Sequence, residues 1–256
     1  MIDSLPFYVT VVFVLTTLLT IGFLLRSFGS IRPPGSASKL LTFIIPFWML
    51  LTGVLALSGF YQQFQFTPPL IVTCAVLPAN LLIIFYFIFF RKTFIERLSL
   101  KSLTLLHFVR LPVELVLLGL FQGGFVPQIM TFEGRNFDIL SGVTAPIIFW
   151  LAFRDGVVRR PLLIVWNLFA LGLLANIVIT AFFSFPSPMQ RFGFEQPNVG
   201  LTYFPFIWLP AIIVPAVLFA LEKEVEEPLL QVHSVVGVVM RPVLDAVRFE
   251  PFLFRR

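Results

Sequence analysis

Long apolar runs separated by short polar segments make up most of the chain. A helix that crosses a bilayer needs about 20 mostly apolar residues. Seven runs approach that length: 6–25, 40–60, 69–90, 103–122, 137–153, 161–184 and 201–221. Pro and Gly clusters separate several of them. The pattern therefore predicts an all-α integral membrane bundle of about seven transmembrane helices over residues 1–227, in which the fifth span is short.

The basic residues between the runs predict an orientation. Ten of them lie in the first, third and fifth connections, whereas the opposite connections hold Arg135 and Arg191. Because Lys and Arg accumulate in cytoplasmic loops, the N-terminus is predicted outside and the C-terminus in the cytoplasm. Residues 228–256 are apolar but interrupted by charges, which predicts a cytoplasmic tail at the membrane surface, or a docking segment for a partner. The first run is interpreted as a retained span.

Composition agrees with a membrane protein. The chain is 58% hydrophobic and 12% charged, with a mean hydropathy of +0.97, whereas soluble domains carry about 25% charged residues. The net charge of +5 is explained by the loops that flank the spans, so we expect no nucleic-acid partner. Cys74 is the single cysteine, which excludes an intramolecular disulfide. Neither a metal nor a cofactor is expected, since the common metal-, nucleotide- and haem-binding motifs are missing.

The fourth run contains ionisable residues where lipid would penalise them, in HFVRLPVELVLLGL at 107–120. At 100° per residue, His107, Arg110, Glu114 and Gln122 fall within about a third of the helix circumference. Glu114 lies roughly 16 Å into the membrane. A charge at such a depth costs about 2.5–3.5 kcal/mol even on lenient scales. The stripe is therefore predicted to face the bundle interior or water.

Two interpretations of this stripe stay open. Arg110 and Glu114, at i and i+4, can form a neutralising pair that fixes the packing of a helix kinked by Pro112. Alternatively, Glu114 is the centre of a proton, ion or substrate site. Asn80 and Asn176, inside the third and sixth runs, are candidates to hydrogen-bond to Glu114 there. Gly119 and Gly123 form a G-x-x-x-G motif on another face, which predicts close helix packing.

A second polar cluster is predicted on the outer side, in MTFEGRNFDILSG at 130–142. It contains Glu133, Arg135, Asn136 and Asp138. One interpretation is a hydrated turn in which Asn136 or Asp138 caps the next helix. The other is an outward-facing site that meets the stripe through Gln122, where Glu133 and Asp138 act as acid and base or hold a cation.

The two stretches RLPVELVLLGL and MTFEGRNFDILSG resemble a pair of motifs of bacterial multi-pass membrane proteins that have no established activity. This resemblance covers about 35 of the 256 residues and implies a bacterial cytoplasmic (inner) membrane. The topology is also similar to that of PQ-loop sugar-efflux transporters, although Pro127-Gln128 lies outside the expected helices and the triple-helix repeat is missing.

The sequence favours transport or binding of a small solute, or proton-linked transport, through the polar site on the fourth helix. One alternative is a membrane enzyme that acts on a lipid or lipid-linked substrate at the outer face. Another is a structural or sensory subunit. The expected partners are the bilayer and a small solute or proton. A second copy of the chain or another membrane protein is also a possible partner.

The orientation can be tested by labelling single cysteines after replacement of Cys74. Cysteines at Gln62, Arg135 and Arg191 are expected to react with an impermeant thiol reagent added outside intact cells, because these loops are predicted on the outer side. Cysteines at Arg32, Lys92 and Arg159 are expected to stay unlabelled until the cells are opened. Labelling of Arg159→Cys from outside would contradict the seven-span topology.

Overall fold

The structure, a computed structural model, describes residues 5–29, 31 and 35–224. In this part of the chain all regular structure is helical. The helices are α1 (Phe7–Phe28), α2 (Ser36–Leu57), α3 (Val72–Phe89), α4 (Leu100–Gln122), α5 (Ile139–Ala152), α6 (Arg160–Phe182) and α7 (residues 208–224). The tail predicted over 228–256 lies outside the described residues.

Five of these helices, α1 to α4 and α6, are long and apolar enough to cross a membrane. Large apolar side chains such as Phe7, Phe43 and Val165 are mostly exposed on their surfaces, as expected for residues that face lipid. The chain is thus an all-helical protein with the features of a multi-pass membrane protein. Helix α5 has only 14 residues and α7 is described only to residue 224, so a count of seven spans stays a prediction.

Helix α4 lies at the centre of the bundle. About 67% of its most apolar window is buried, against 17–33% for the other four long helices. Its backbone tightens to a 3₁₀ turn at His107–Val109, directly before the turn that contains Pro112. Proline lacks the N–H that would bond to the carbonyl of Phe108 and its ring crowds the preceding turn, which accounts for the irregularity there.

Glycines let two neighbours approach α4 closely. A Cβ at Gly119 would lie 2.8 Å from Val9 Cγ2 of α1, so the G-x-x-x-G face packs against α1. The second close neighbour is α5, where a Cβ at Gly142 would collide with the backbone of Leu111 on α4. These contacts bring the start of α5 against the middle of α4, where the ionisable residues lie.

Helix α7 closes the bundle beside α2 and contains a widened turn. The indole nitrogen of Trp48 donates to the carbonyl of Ala211 at 3.2 Å, and that of Trp208 donates to the carbonyl of Met49 at 3.0 Å. A π-helical segment spans Leu209–Ile213, and α3 begins with another at Val72–Val76. π-Helical segments are rare in proteins, and those that exist are frequently found at functional sites.

Because α5 lies so close to α4 at Gly142, adding a single methyl group there is expected to lower the stability of the protein. Gly142→Ala places a Cβ against the Leu111 backbone and is expected to destabilise the protein by about 1–3 kcal/mol, the usual cost of overpacking. Gly172→Ala is the matched control, because a Cβ at Gly172 of α6 meets nothing within 4 Å. Thermal unfolding of both purified variants measures the difference. An equal melting temperature for the two would contradict the packing described for α5.

Candidate functional site

The centre of the candidate site is an ion pair between Arg110 of α4 and Asp138 at the start of α5. Both side chains are almost fully buried, at 2% and 4% exposure. Arg110 Nε donates to Asp138 Oδ2 at 2.7 Å, and Nη2 donates to Asp138 Oδ1. Nη2 also donates to the carbonyl of Ala170 on α6 at 2.9 Å. The guanidinium thus joins three helices, and its bidentate geometry is the strong form of such a pair.

Glu114 lies one turn further along α4 and is bound by Asn136. The Asn136 amide donates to Glu114 Oε1 at 2.6 Å and to the carbonyl of Met130 at 3.0 Å. Its own oxygen accepts from the Asp138 backbone N–H at 3.1 Å. The i, i+4 pair between Arg110 and Glu114 is not formed, since the ion pair of Arg110 within the described residues is with Asp138. The reason is that a bidentate partner was available from another helix.

The segment before α5 turns inward because of Gly134. A Cβ there would collide with the backbone of Gln128 and Ile129, so the tight turn requires glycine. The turn brings Asn136 and Asp138 onto α4. Neither carboxylate oxygen of Asp138 caps α5, since no side-chain cap is formed at that N-terminus. Asn136 and Asp138 of the predicted outer cluster are therefore joined to Arg110 and Glu114 of the predicted stripe.

A cavity of about 130 Å³ lies against this cluster, between α3, α4, α6 and α7. Its polar lining consists of Arg110, Glu114 and Asp138, and the other lining residues are apolar or proline. Arg110 Nη1 and Glu114 Oε2 are buried and have no hydrogen-bond partner among the described residues. The cavity thus presents one strong donor and one strong acceptor on an otherwise apolar wall.

His107 is separated from the cavity and joins a different group. It is fully buried, its Nε2 lies 3.5 Å from Glu224 Oε2 of α7, and its ring meets that of Trp166 edge-on at 5.2 Å. Glu224 Oε1 accepts from the Thr104 hydroxyl. His107 is therefore packed among side chains of α4, α6 and α7.

The remaining predicted site residues lie apart from the cluster. Asn80 donates to Val76 of its own helix at 2.8 Å, and Asn176 donates to the carbonyl of Arg135 at 2.8 Å. Gln122, Glu133, Arg135 and Asn176 are exposed. The stripe meets the outer motif through Asn136 and Asp138 instead of Gln122, and Glu133 does not share the buried environment of Asp138. In the described residues no group of three or more His, Cys, Asp and Glu is placed to hold a metal ion.

Sequence reasoning missed Glu224, Thr104 and Asn167. Glu224 lies beyond the seventh predicted run, 201–221, in the charged stretch EKEVEE at 222–227, yet it is only 1% exposed. Asn167 is fully buried on α6. Its place inside an apolar run was the available signal, since a buried amide in such a run marks an inward face.

Comparison with models of protein families, with curated proteins and with solved structures finds no match to this chain. The motif resemblance therefore stays a prediction, and the function has to be inferred from the site itself.

The partner of Arg110 can be tested with double variants. Arg110→Gln and Asp138→Asn are each expected to cost about 3–5 kcal/mol, because each leaves one buried charge unpaired. Combining them removes both charges and is expected to restore most of the stability. Arg110→Gln with Glu114→Gln is the matched control and should stay destabilised, since Asp138 is still unpaired. Thermal unfolding in detergent measures all four, and rescue by the control combination would contradict the pairing.

Proposed function

We propose that this protein binds a small amphipathic solute in the cavity beside Arg110 and Glu114, and that this binding serves transport of the solute across the membrane. We place it in a bacterial cytoplasmic membrane with the N-terminus outside, in line with the charge distribution of its loops. The solute is uncharged or cationic, has one hydroxyl-like group and reaches the site from the bilayer.

The observation that carries the proposal is the pair of unpartnered polar atoms on the cavity wall. Arg110 Nη1 and Glu114 Oε2 each lack a hydrogen bond within the described residues, and both residues line the cavity. Leaving a polar atom of a buried charged group without a hydrogen bond costs more than about 1–3 kcal/mol of stability. A solute group that accepts from the guanidinium and donates to the carboxylate would recover that loss, and a hydroxyl does both.

Size and lining support a small, mostly apolar solute. The cavity of about 130 Å³ is comparable to the roughly 150 Å³ engineered cavity that holds benzene. Its wall includes Val76 of α3 and Val178 of α6, and Val178 is 39% exposed on the outer surface. An opening beside an exposed apolar residue of a lipid-facing helix suits a solute that partitions into lipid.

The charge of the cluster supports the choice of an uncharged or cationic solute. The positive charge of Arg110 is compensated by both oxygens of Asp138. Glu114 interacts with an uncharged amide, so any charge that it carries is uncompensated within the cluster. An anion would meet this excess negative potential at short range and be repelled.

The proposal is tested by ¹⁹F NMR titration of the protein in nanodiscs with 4-fluorophenol, fluorobenzene and 4-fluorobenzoate. We expect saturable binding of 4-fluorophenol, at least tenfold tighter than fluorobenzene, which has no hydroxyl. Anionic 4-fluorobenzoate is expected to bind most weakly. Glu114→Gln should remove the advantage of the phenol, because Asn136 holds the amide oxygen and leaves a second donor toward the cavity.

Two alanine-to-leucine substitutions on α6 test whether the solute binds in the cavity. One fills the cavity and the other is its control. Ala181 lines the cavity, so Ala181→Leu is expected to weaken 4-fluorophenol binding at least tenfold by filling space. Ala175 is exposed on the same helix, and Ala175→Leu is expected to bind like the wild type. Equal binding by the two variants, or equal affinity for phenol and fluorobenzene, would refute the proposal.

A further inference from the structure

A second buried polar group connects α4 to α7, away from the solute cavity. Glu224 accepts from the Thr104 hydroxyl with one oxygen. Its other oxygen lies 3.5 Å from His107 Nε2. His107 and Glu224 are 0% and 1% exposed, so neither water nor lipid solvates them. The two side chains therefore define each other's electrostatic environment.

Several polar atoms of this group have no hydrogen bond within the described residues. They are both ring nitrogens of His107, Glu224 Oε2 and both side-chain polar atoms of Asn167. Asn167 follows Trp166, whose ring contacts His107, and it lies one turn before Ala170, which accepts from Arg110. The contact of Trp166 with His107 and the bond from Arg110 to Ala170 give the register of α6 against α4, which places Asn167 at the level of His107. Unpaired polar atoms are thus concentrated around one imidazole.

The buried charges of the described residues do not balance. The buried carboxyl groups are Glu114, Asp138 and Glu224, whereas the buried cations are Arg110 and Lys223. Burying an uncompensated charge is far more costly than burying a matched pair. Among the described residues the buried carboxyl groups thus outnumber the buried cations by one, and His107 is a buried side chain that can offset this difference by taking up a proton.

We propose that His107 and Glu224 form a proton-binding site between α4 and α7. The proton, taken from water, joins the lone pair of an imidazole nitrogen and produces an imidazolium beside the Glu224 carboxylate. On release, the proton returns to water and leaves a neutral ring. The site goes beyond solute binding and does not depend on which molecule occupies the cavity.

The charged groups around His107 come from α4, from α7 and from the start of α5. On α4 itself, Thr104 is uncharged and Arg110 opposes the proton. From α7, Glu224 attracts it, while the adjacent Lys223 opposes it. Further groups are uncharged or more distant: Trp166 and Asn167 of α6, the threonines of α1, and Ser141 and Thr144 of α5. Asp138, at the start of α5, interacts electrostatically with His107 and also attracts the proton.

The position of the site suits coupling to the cavity. Helix α7 supplies Leu209, Ile213 and Val217 to the cavity wall, and Glu224 lies two turns beyond Val217. An imidazolium–carboxylate pair holds α7 to α4 more strongly than a neutral ring does. A proton at this site therefore acts on a helix that also forms the wall of the solute site.

The site is tested by ¹⁵N NMR of the imidazole in full-length protein in nanodiscs. The chain has two histidines, so His233→Gln leaves His107 as the single signal. At a pH where both ring forms are detected, Glu224→Gln is expected to lower the ratio of imidazolium to imidazole at least sevenfold. That factor follows from Coulomb's law at 3.5 Å even with the dielectric constant of water, about 80.

Glu96→Gln is the matched control, because Glu96 is exposed and its loss should leave the ratio unchanged. If Glu224→Gln does not fold, Glu224→Asp retains the carboxylate but moves it away from the ring and should lower the ratio by a smaller factor. A ratio in the folded Glu224 variant equal to that of the Glu96 control would refute the proton site. Since no solute is added, this outcome is independent of the ¹⁹F titrations.

Discussion

The buried charge of Arg110 is the constraint from which the rest of the site follows. A guanidinium does not lose its proton at any accessible pH, and neither lipid nor the apolar interior solvates it. A carboxylate must therefore be brought to it, and the chain supplies Asp138 by turning the segment before α5 inward. That turn requires glycine at 134, and the resulting approach of α5 to α4 requires glycine at 142. Both glycines are thus steric requirements of one ion pair.

The same constraint explains why the cavity beside the ion pair is a candidate solute site. A guanidinium has five N–H donors, and Arg110 uses Nε and Nη2 in its bonds to Asp138 and Ala170. Its Nη1 is left buried without a hydrogen bond among the described residues, as is Oε2 of Glu114, which lines the same cavity. A stabilising interaction that does not use every polar atom leaves hydrogen-bonding capacity inside the membrane, and a cavity at that place makes the capacity accessible to a ligand.

The length and position of the apolar runs were sufficient to locate the helices. Each described helix begins and ends within a few residues of the corresponding run, apart from the start of α7, which the structure places at residue 208 instead of 201. Single-helix geometry was also sufficient to predict that Arg110 and Glu114 face inward. It failed where a partner comes from a distant part of the chain, because the i, i+4 rule considers neighbours on one helix. Asp138 and Glu224 are such partners.

The angular position of a residue on one helix is also a limited guide to its burial, as Gln122 shows. Eight residues separate it from Glu114, and eight steps of 100° leave it about 80° away in direction. Gln122 is also the last residue of α4, where the bundle no longer covers the helix, and it is exposed. Polar residues at a helix end therefore say little about the interior, whereas those one or two turns from the centre are informative.

The length of α5 has a consequence for the membrane itself. Fourteen residues make a helix of about 21 Å, whereas the hydrocarbon layer is about 30 Å thick. Leu140, Val143, Ile147 and Trp150 are exposed along it, so the seven-span prediction requires this flank to meet lipid with an apolar height that is too short. The longer helices on the other flanks match an ordinary bilayer. In the predicted seven-span topology the hydrophobic mismatch is confined to one side, where it favours local thinning of the bilayer or tilting of the whole bundle, at a cost of fractions of a kcal/mol per ångström. That topology therefore predicts that a thin bilayer accommodates the protein more readily than a thick one.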